Sequence, residues 1–359
     1  MASSERVSQV APVKVTDSIT RSEILQQPGT WLDTLERTAA CPWTIESPAV
    51  VTGAGSSCYL AEAIAASRPG VAALASTDLL VSDPPPVSPS TMVVSVARSG
   101  DSPETAGVIE RLRRLVPSAR HHAITCNPDS ALVRLIGPDT LLLDPRTNDR
   151  SLVMTSSFSN LTLAGTLLGR VDPWREPIRR AAARTSELLP QIEELAVEAA
   201  QAIADRVVFL ASPILRGAAR EATLKVLEIS GGRVVAKSET FLGLRHGPMS
   251  FLNPRSFVVC FLSSDPRLQR YELDLVRELR AKGLGMLVAN GPTHSPELFD
   301  MLVPAPGADL PDAFRTPFAI VFAQLLGLHA AARFGVNADN PSPERVITRV
   351  VQGVRVYAD

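Results

Sequence analysis

Cysteine is scarce and scattered. The four in this chain of 359 residues, Cys41, Cys58, Cys126 and Cys260, form no CxxC pair and no His/Cys cluster at metal-ligand spacing. A disulfide framework and a thiolate metal centre are thereby excluded as organising features, and a reduced, cytoplasmic setting is expected. Excess charge of either sign is also missing. The 36 Lys and Arg nearly balance 37 Asp and Glu, so no overall field draws the chain to nucleic acid or to an anionic membrane. The opening MASSERVSQVAPVK places Glu5 early and has no apolar core for a signal peptide. No long hydrophobic run suits a membrane span either: the most apolar late stretch, PFAIVFAQLLGLHAAARF, carries Gln324 and His329 and reads as a buried or interface helix. Neither GxGxxG nor a P-loop occurs, which removes a dinucleotide and a nucleoside triphosphate from the favoured ligands. The expected partners are small or proteinaceous.

What is there is repetition. AVVTGAG then SSCYLAEAIAAS reads as a buried strand and a helix, and TMVVSVARSGDSPETAGVIERLRRL repeats that order. HHAITCNPDSALVRLI and TLLLDP continue it. After a helical stretch over 159–204 the pattern restarts with RVVFLASPILRGAAREATLKVLEIS, then SFVVCFLSSDPRLQRYELDLVRELRAKG and LGMLVANGP. Strands alternating with helices predict parallel sheets covered on both faces, hence an α/β fold of two tandem three-layer α/β/α units. The length agrees, since the chain exceeds the usual size of one domain. The expected organisation is an N-terminal extension over 1–30, a first unit over 31–168, a helical connector over 169–200, and a second unit with its tail over 201–359. The proline-rich SDPPPVSPS is a connector inside the first unit.

In open parallel sheets ligands gather at the carboxyl ends of strands. ARSGDSPET, over 97–105, puts Ser99, Ser102 and Thr105 where a helix begins, and TGAGSS puts Gly53, Gly55, Ser56 and Ser57 in the same position after the preceding strand. Hydroxyl residues of this kind cap helices in any protein. Two such turns after two consecutive strands, however, open on one edge of one sheet, where free N–H groups and helix dipoles favour an anion. A lone phosphate is the expected ligand. A second constellation follows in REATLKVLEISGGRVVAKSETFLGLRHGPMSF. On a helix Glu221, Lys225 and Glu228 share one face, and Arg245, His246, Gly247 and Pro248 come soon after. A carboxylate and an imidazole brought together suit proton transfer beside a carbonyl near neutral pH.

These residues carry a resemblance. GAGSSCYLAEAIA, ARSGDSPET, NDRSLVMTSSFSNL, REATLKVLE, LGLRHGPMSF and DNPSPERVITRVVQGVRVY, in this order, resemble the sugar isomerase (SIS) superfamily with both of its SIS domains. Within it the chain is similar to the tagatose-6-phosphate ketose/aldose isomerase family, which includes galactosamine-6-phosphate deaminase/isomerases. It is also related to the isomerase half of glucosamine-6-phosphate synthase. The resemblance implies that Ser56, Ser57, Ser99, Ser102 and Thr105 hold the sugar phosphate, with Ser156 and Ser157 closing the other side. It implies that Glu228 shuttles a proton between C1 and C2 through an enediol or enolamine, and that His246 opens the sugar ring. Gly55, Arg98, Glu221, Lys225 and Arg245 fall on supporting positions. No metal or other cofactor is implied.

The expected activity is therefore metal-free aldose–ketose isomerisation of a hexose or hexosamine 6-phosphate, with or without loss of ammonia. A homodimer or higher homo-oligomer is expected, because SIS relatives pair so that a site borrows residues from a neighbouring chain. The alternative is a sugar-phosphate-binding regulator without catalysis. Three departures stand out. The chain opens Met1-Ala2 without the synthase's nucleophilic cysteine, so glutamine-driven amination is not expected. It has no lysine after Lys282, and Arg345 and Arg349 in the corresponding neighbourhood cannot form an imine. Met249 and Ala97 stand where the family often has lysine and serine.

Overall fold

The computed structural model describes residues 14–204 and 206–357. The reading of the first residues as lacking a leader, and the part of the expected N-terminal extension before Lys14, lie outside the described residues. Two helices, α1 (Ile19–Leu25) and α2 (Gln27–Ala39), precede the first strand. The first unit runs β1 (Ala49–Gly53), α3 (Ser56–Ala66), β2 (Val71–Ala75), α4 (Ser76–Val81), β3 (Met92–Ala97), α5 (Pro103–Leu115), β4 (Arg120–Thr125), α6 (Ala131–Ile136), β5 (Thr140–Leu142) and α7 (Ser156–Leu167). Helix α8 (Arg175–Ala202) runs through the stretch expected to connect the halves. The second unit follows as β6 (Arg206–Ala211), α9 (Arg216–Ile229), β7 (Val235–Thr240), α10 (Phe241–Leu244), β8 (Phe257–Phe261), α11 (Pro266–Ala281), β9 (Met286–Asn290), β10 (Met301–Val303) and α12 (Thr316–Arg333).

The two sheets have one design. Their strand orders are β2-β1-β3-β4-β5 and, read in the same sense, β7-β6-β8-β9-β10. Every pairing is parallel. The central strands explain why: β1, β3 and β8 are buried along their whole length, as apolar runs must be when helices cover both faces of a sheet. The expected α/β class with two tandem units is what the chain forms.

The core does not divide between the units. Val51 and Val96 of the first sheet join Phe209 and Phe261 of the second in one continuous apolar cluster, through Trp31, Phe158 and Phe322. Trp31 is fully enclosed, its indole N–H donating to Ser159 Oγ at 2.9 Å and its ring meeting Phe318 edge-on at 4.8 Å. Helix α12 lies in this core, between helices of both halves. Gln324 is satisfied there, donating to the Thr155 carbonyl at 3.1 Å and accepting from Gln27 at 2.8 Å. His329 lies 3.1 Å from Glu193 Oε1. The apolar surface of α12, which read as a buried or interface helix, is thus buried within its own chain. Among the described residues, no helix is long and apolar enough to cross a membrane.

Helix α9 belongs to the second sheet but packs on α3 of the first. A Cβ on Gly217 would stand 2.5 Å from the Tyr59 carbonyl oxygen, so α9 comes as close to α3 as glycine permits. This approach brings the functional face of α9 to the first unit's strand ends.

Candidate active site

The cavity lies where the turns after β1 and β3 open. Its volume is about 580 Å³, within the range of small-molecule sites. The β1 turn contributes Gly55, Ser56 and Ser57, and the β3 turn contributes Arg98, Ser99, Ser102 and Thr105. Gly55, at φ 55°, adopts a backbone that L side chains avoid; it swings the chain from β1 into α3 at the cavity wall.

The β3 turn is built by a strong helix start. Pro103 enters α5 at its first turn, Ser102 is the extended N-cap, and Glu104 favours the positive end of the dipole. Ser102 Oγ and Thr105 Oγ1 lie 2.7 Å apart, a pair of hydroxyls side by side on the cavity wall. The acid of this turn points elsewhere: Asp101 accepts from Ala131 N at 2.8 Å and from Asn127 Nδ2 at 3.1 Å, so its charge does not oppose an anion. Ser99→Ala combined with Ser102→Ala is expected to weaken sugar 6-phosphate binding by about 1.5–3 kcal/mol, the range for hydrogen bonds to a charged group. Unchanged affinity in a calorimetric titration would remove both serines from the site.

Opposite stands α9. Lys225 and Glu228 line the cavity, and Lys225 Nζ lies 2.5 Å from Glu228 Oε2 and 3.5 Å from Glu221 Oε1. Glu228 is partly open, with 23% of its side chain exposed, whereas Lys225 and Glu221 are enclosed. Desolvation works against the Lys225 ammonium, but Glu221 and Glu228 outweigh it and raise its pKa above the ordinary lysine value. Burial pushes the Glu221 carboxyl up to about 7, with Lys225 opposing the rise and Glu228 adding to it. The face therefore presents the partly exposed Glu228 side chain held by a buried ammonium, with the enclosed Glu221 carboxyl behind.

The remaining wall was not anticipated. Residues 345–352 of the C-terminal tail cross the opening as irregular chain, together with Leu152, Val153 and Met154. Arg98 fastens these pieces. It is nearly enclosed, and its guanidinium donates to the carbonyls of Ser151, Leu152 and Val153 and, at 2.6 Å, to that of Arg349. Arg349 in turn donates to the Asp149 carbonyl at 2.8 Å and to Asn148 Oδ1 at 2.6 Å. The signal available in the sequence was a pair of arginines, Arg345 and Arg349, in a tail with neither helical nor strand periodicity.

Of the expected residues, the fold gathers Gly55, Ser56, Ser57, Arg98, Ser99, Ser102, Thr105, Lys225 and Glu228, with Glu221 immediately behind. Four are placed elsewhere. Ser156 and Ser157, expected to close the phosphate site, are fully buried at the start of α7, where the Asp149 carboxylate accepts from the N–H and hydroxyl of each. Their donors are thus taken up by Asp149, and neither serine lines the cavity. His246 is exposed in the turn after α10, beyond the edge strand β7, and does not line the cavity of its own chain. Arg245 pairs there with Glu278 at 2.6 Å and Asp274 at 2.9 Å. The polar RHGP segment turns outward at the rim of the second sheet, so its nearness to Glu228 in sequence does not become nearness within the chain. Among the described residues, no group of three or more His, Cys, Asp or Glu side chains could hold a metal ion.

No protein-family model matches the chain. It is 35% identical over 386 residues to a Streptomyces coelicolor protein provisionally named D-galactosamine-6-phosphate deaminase AgaS, covering 97% of each chain. D-galactosamine-6-phosphate deaminase AgaS of Shewanella sp. (strain ANA-3) is 32% identical over 364 residues, 94% of this chain and 91% of that one. Among solved structures, tagatose-6-phosphate ketose/aldose isomerase from Escherichia coli superposes with a TM-score of 0.85 at 27% identity, over 98% of this chain and 99% of that one.

Proposed function

Because the chain belongs to the D-galactosamine-6-phosphate deaminase AgaS family, we propose that it isomerises a hexosamine or hexose 6-phosphate between aldose and ketose forms, releasing ammonia where C2 bears an amine. The observation that carries this reading is the Glu228 carboxylate, paired at 2.5 Å with the buried Lys225 and sharing one cavity with two hydroxyl-bearing helix starts. The turns anchor the phosphate, so that binding energy aligns C1 and C2 against the α9 face. Glu228 removes the C2 proton of the open-chain aldose and returns a proton to C1. The electrons released at C2 form the C1–C2 double bond of an enolamine or enediol, and the Lys225 ammonium faces the oxygen on which charge gathers. With an amine at C2 the product is an iminium, which water hydrolyses to the ketose and ammonia. A screen of galactosamine, glucosamine and neutral hexose 6-phosphates, scored for both ketose and ammonia, tests this. Binding without either product would favour a regulator.

Ring opening, assigned to His246, needs the cavity of another copy, since His246 does not reach its own. We therefore take the working unit as a homodimer or higher homo-oligomer. A fully active monomer in sedimentation would remove that part of the reading. The four free thiols accord with a reduced cytoplasmic setting, and a disulfide in protein isolated without reductant exchange would contradict it.

A further inference from the structure

We infer that Arg345 binds the phosphate of the sugar, supplying a guanidinium that is not already engaged by protein groups; the inference rests on the functional reading above. Four cations line the cavity among the described residues: Arg98, Lys225, Arg345 and Arg349. Three are already engaged. Arg98 is bound to four backbone carbonyls, Arg349 to Asn148 and the Asp149 carbonyl, and Lys225 to Glu228 and Glu221. The Arg345 guanidinium makes no hydrogen bond or ion pair with any described residue, and it is exposed at the rim of the tail that crosses the opening.

Its backbone adds a second, independent observation. Arg345, at φ 58°, is the only non-glycine residue with positive φ among the described residues. A turn holds it there, with Arg345 N donating to the Ser342 carbonyl at 2.9 Å and Ile347 N to Ser342 Oγ at 3.1 Å. A left-handed arginine is unfavourable unless its surroundings or its role enforce it, and here the conformation sets a free guanidinium on the cavity wall. A sugar phosphate carries close to two negative charges at neutral pH. Hydroxyls and helix N–H groups can orient it but bring no full charge. A guanidinium fork matches phosphate oxygens in pairs. Arg345 meets that need with donors that no protein group occupies.

The test is calorimetric titration of the parent, Arg345→Gly and Arg345→Lys with galactosamine 6-phosphate and with inorganic phosphate, at several KCl concentrations. Glycine keeps the left-handed turn without strain, so thermal melting should show an intact fold. Arg345→Gly is expected to bind both ligands at least about tenfold more weakly, with a flatter salt dependence, and Arg345→Lys to recover part of the loss. Affinity within about twofold of the parent in Arg345→Gly, or an equal loss toward galactosamine lacking its phosphate, would overturn the inference alone. A parent that binds neither ligand would overturn the functional reading, and this inference with it.

Discussion

Replacing Glu228 by glutamine is expected to lower kcat by about 10²–10⁴-fold, the span attributed to loss of a general base. That corresponds to about 2.7–5.5 kcal/mol of activation free energy. Glutamine preserves the shape of the side chain and can still accept a hydrogen bond from Lys225, which retains Glu221 at 3.5 Å as its second partner. The variant should therefore fold normally and bind a sugar phosphate almost as well as the parent, because the turns after β1 and β3 hold the anion. The pattern of lost kcat with kept affinity separates an interaction made only during proton transfer from one made throughout binding. Comparable loss in both, or a variant as active as the parent, would take the base role from Glu228.

The largest stability effect is expected at Asp149. This carboxylate is enclosed, with 1% of its residue surface exposed, and accepts from the backbone N–H and the hydroxyl of each of Thr155, Ser156 and Ser157. It thus caps the N-terminus of α7, a helix buried on every side. Asp149→Ala removes a charge-assisted acceptor and leaves buried donors unpaired, which should cost at least about 3–5 kcal/mol. Asp149→Asn keeps one acceptor oxygen and should lose less. Chemical denaturation of the three proteins measures the order, and an alanine variant within about 1 kcal/mol of the parent would show that the cap does not hold α7.

Asp149 also shows where sequence reading reached its limit. The architecture was legible because each half repeats buried apolar strands followed by capped helices, and the turns of ARSGDSPET and TGAGSS follow adjacent strands of one sheet. The hydroxyls that local pattern set on one sheet edge line the cavity. TSSFS carries the same local pattern, a hydroxyl run at a helix start, but its anion is supplied internally by an aspartate six to eight residues upstream. Nothing within the motif distinguishes the two cases. His246 lies away from its own chain's cavity for a different reason: sequence proximity to Glu228 crosses the whole of β7, which carries the chain to the sheet edge. The tail around Arg345 and Arg349 was weighed only for an imine-forming lysine, and its place as one wall of the cavity was not read because irregular chain has no period.

The central claim is that Glu228 moves a proton between neighbouring carbons of an anchored sugar phosphate. Turnover of galactosamine 6-phosphate in D₂O, followed by NMR, tests it most directly, since a carboxylate that holds the proton between C2 and C1 exchanges part of it with solvent. The account predicts deuterium at C1 of the ketose as ammonia is released by the parent, and both slowed by about 10²–10⁴-fold in Glu228→Gln. Deuterium entering Glu228→Gln at the parent's rate, or a parent that binds the sugar phosphate and never incorporates deuterium, would contradict it.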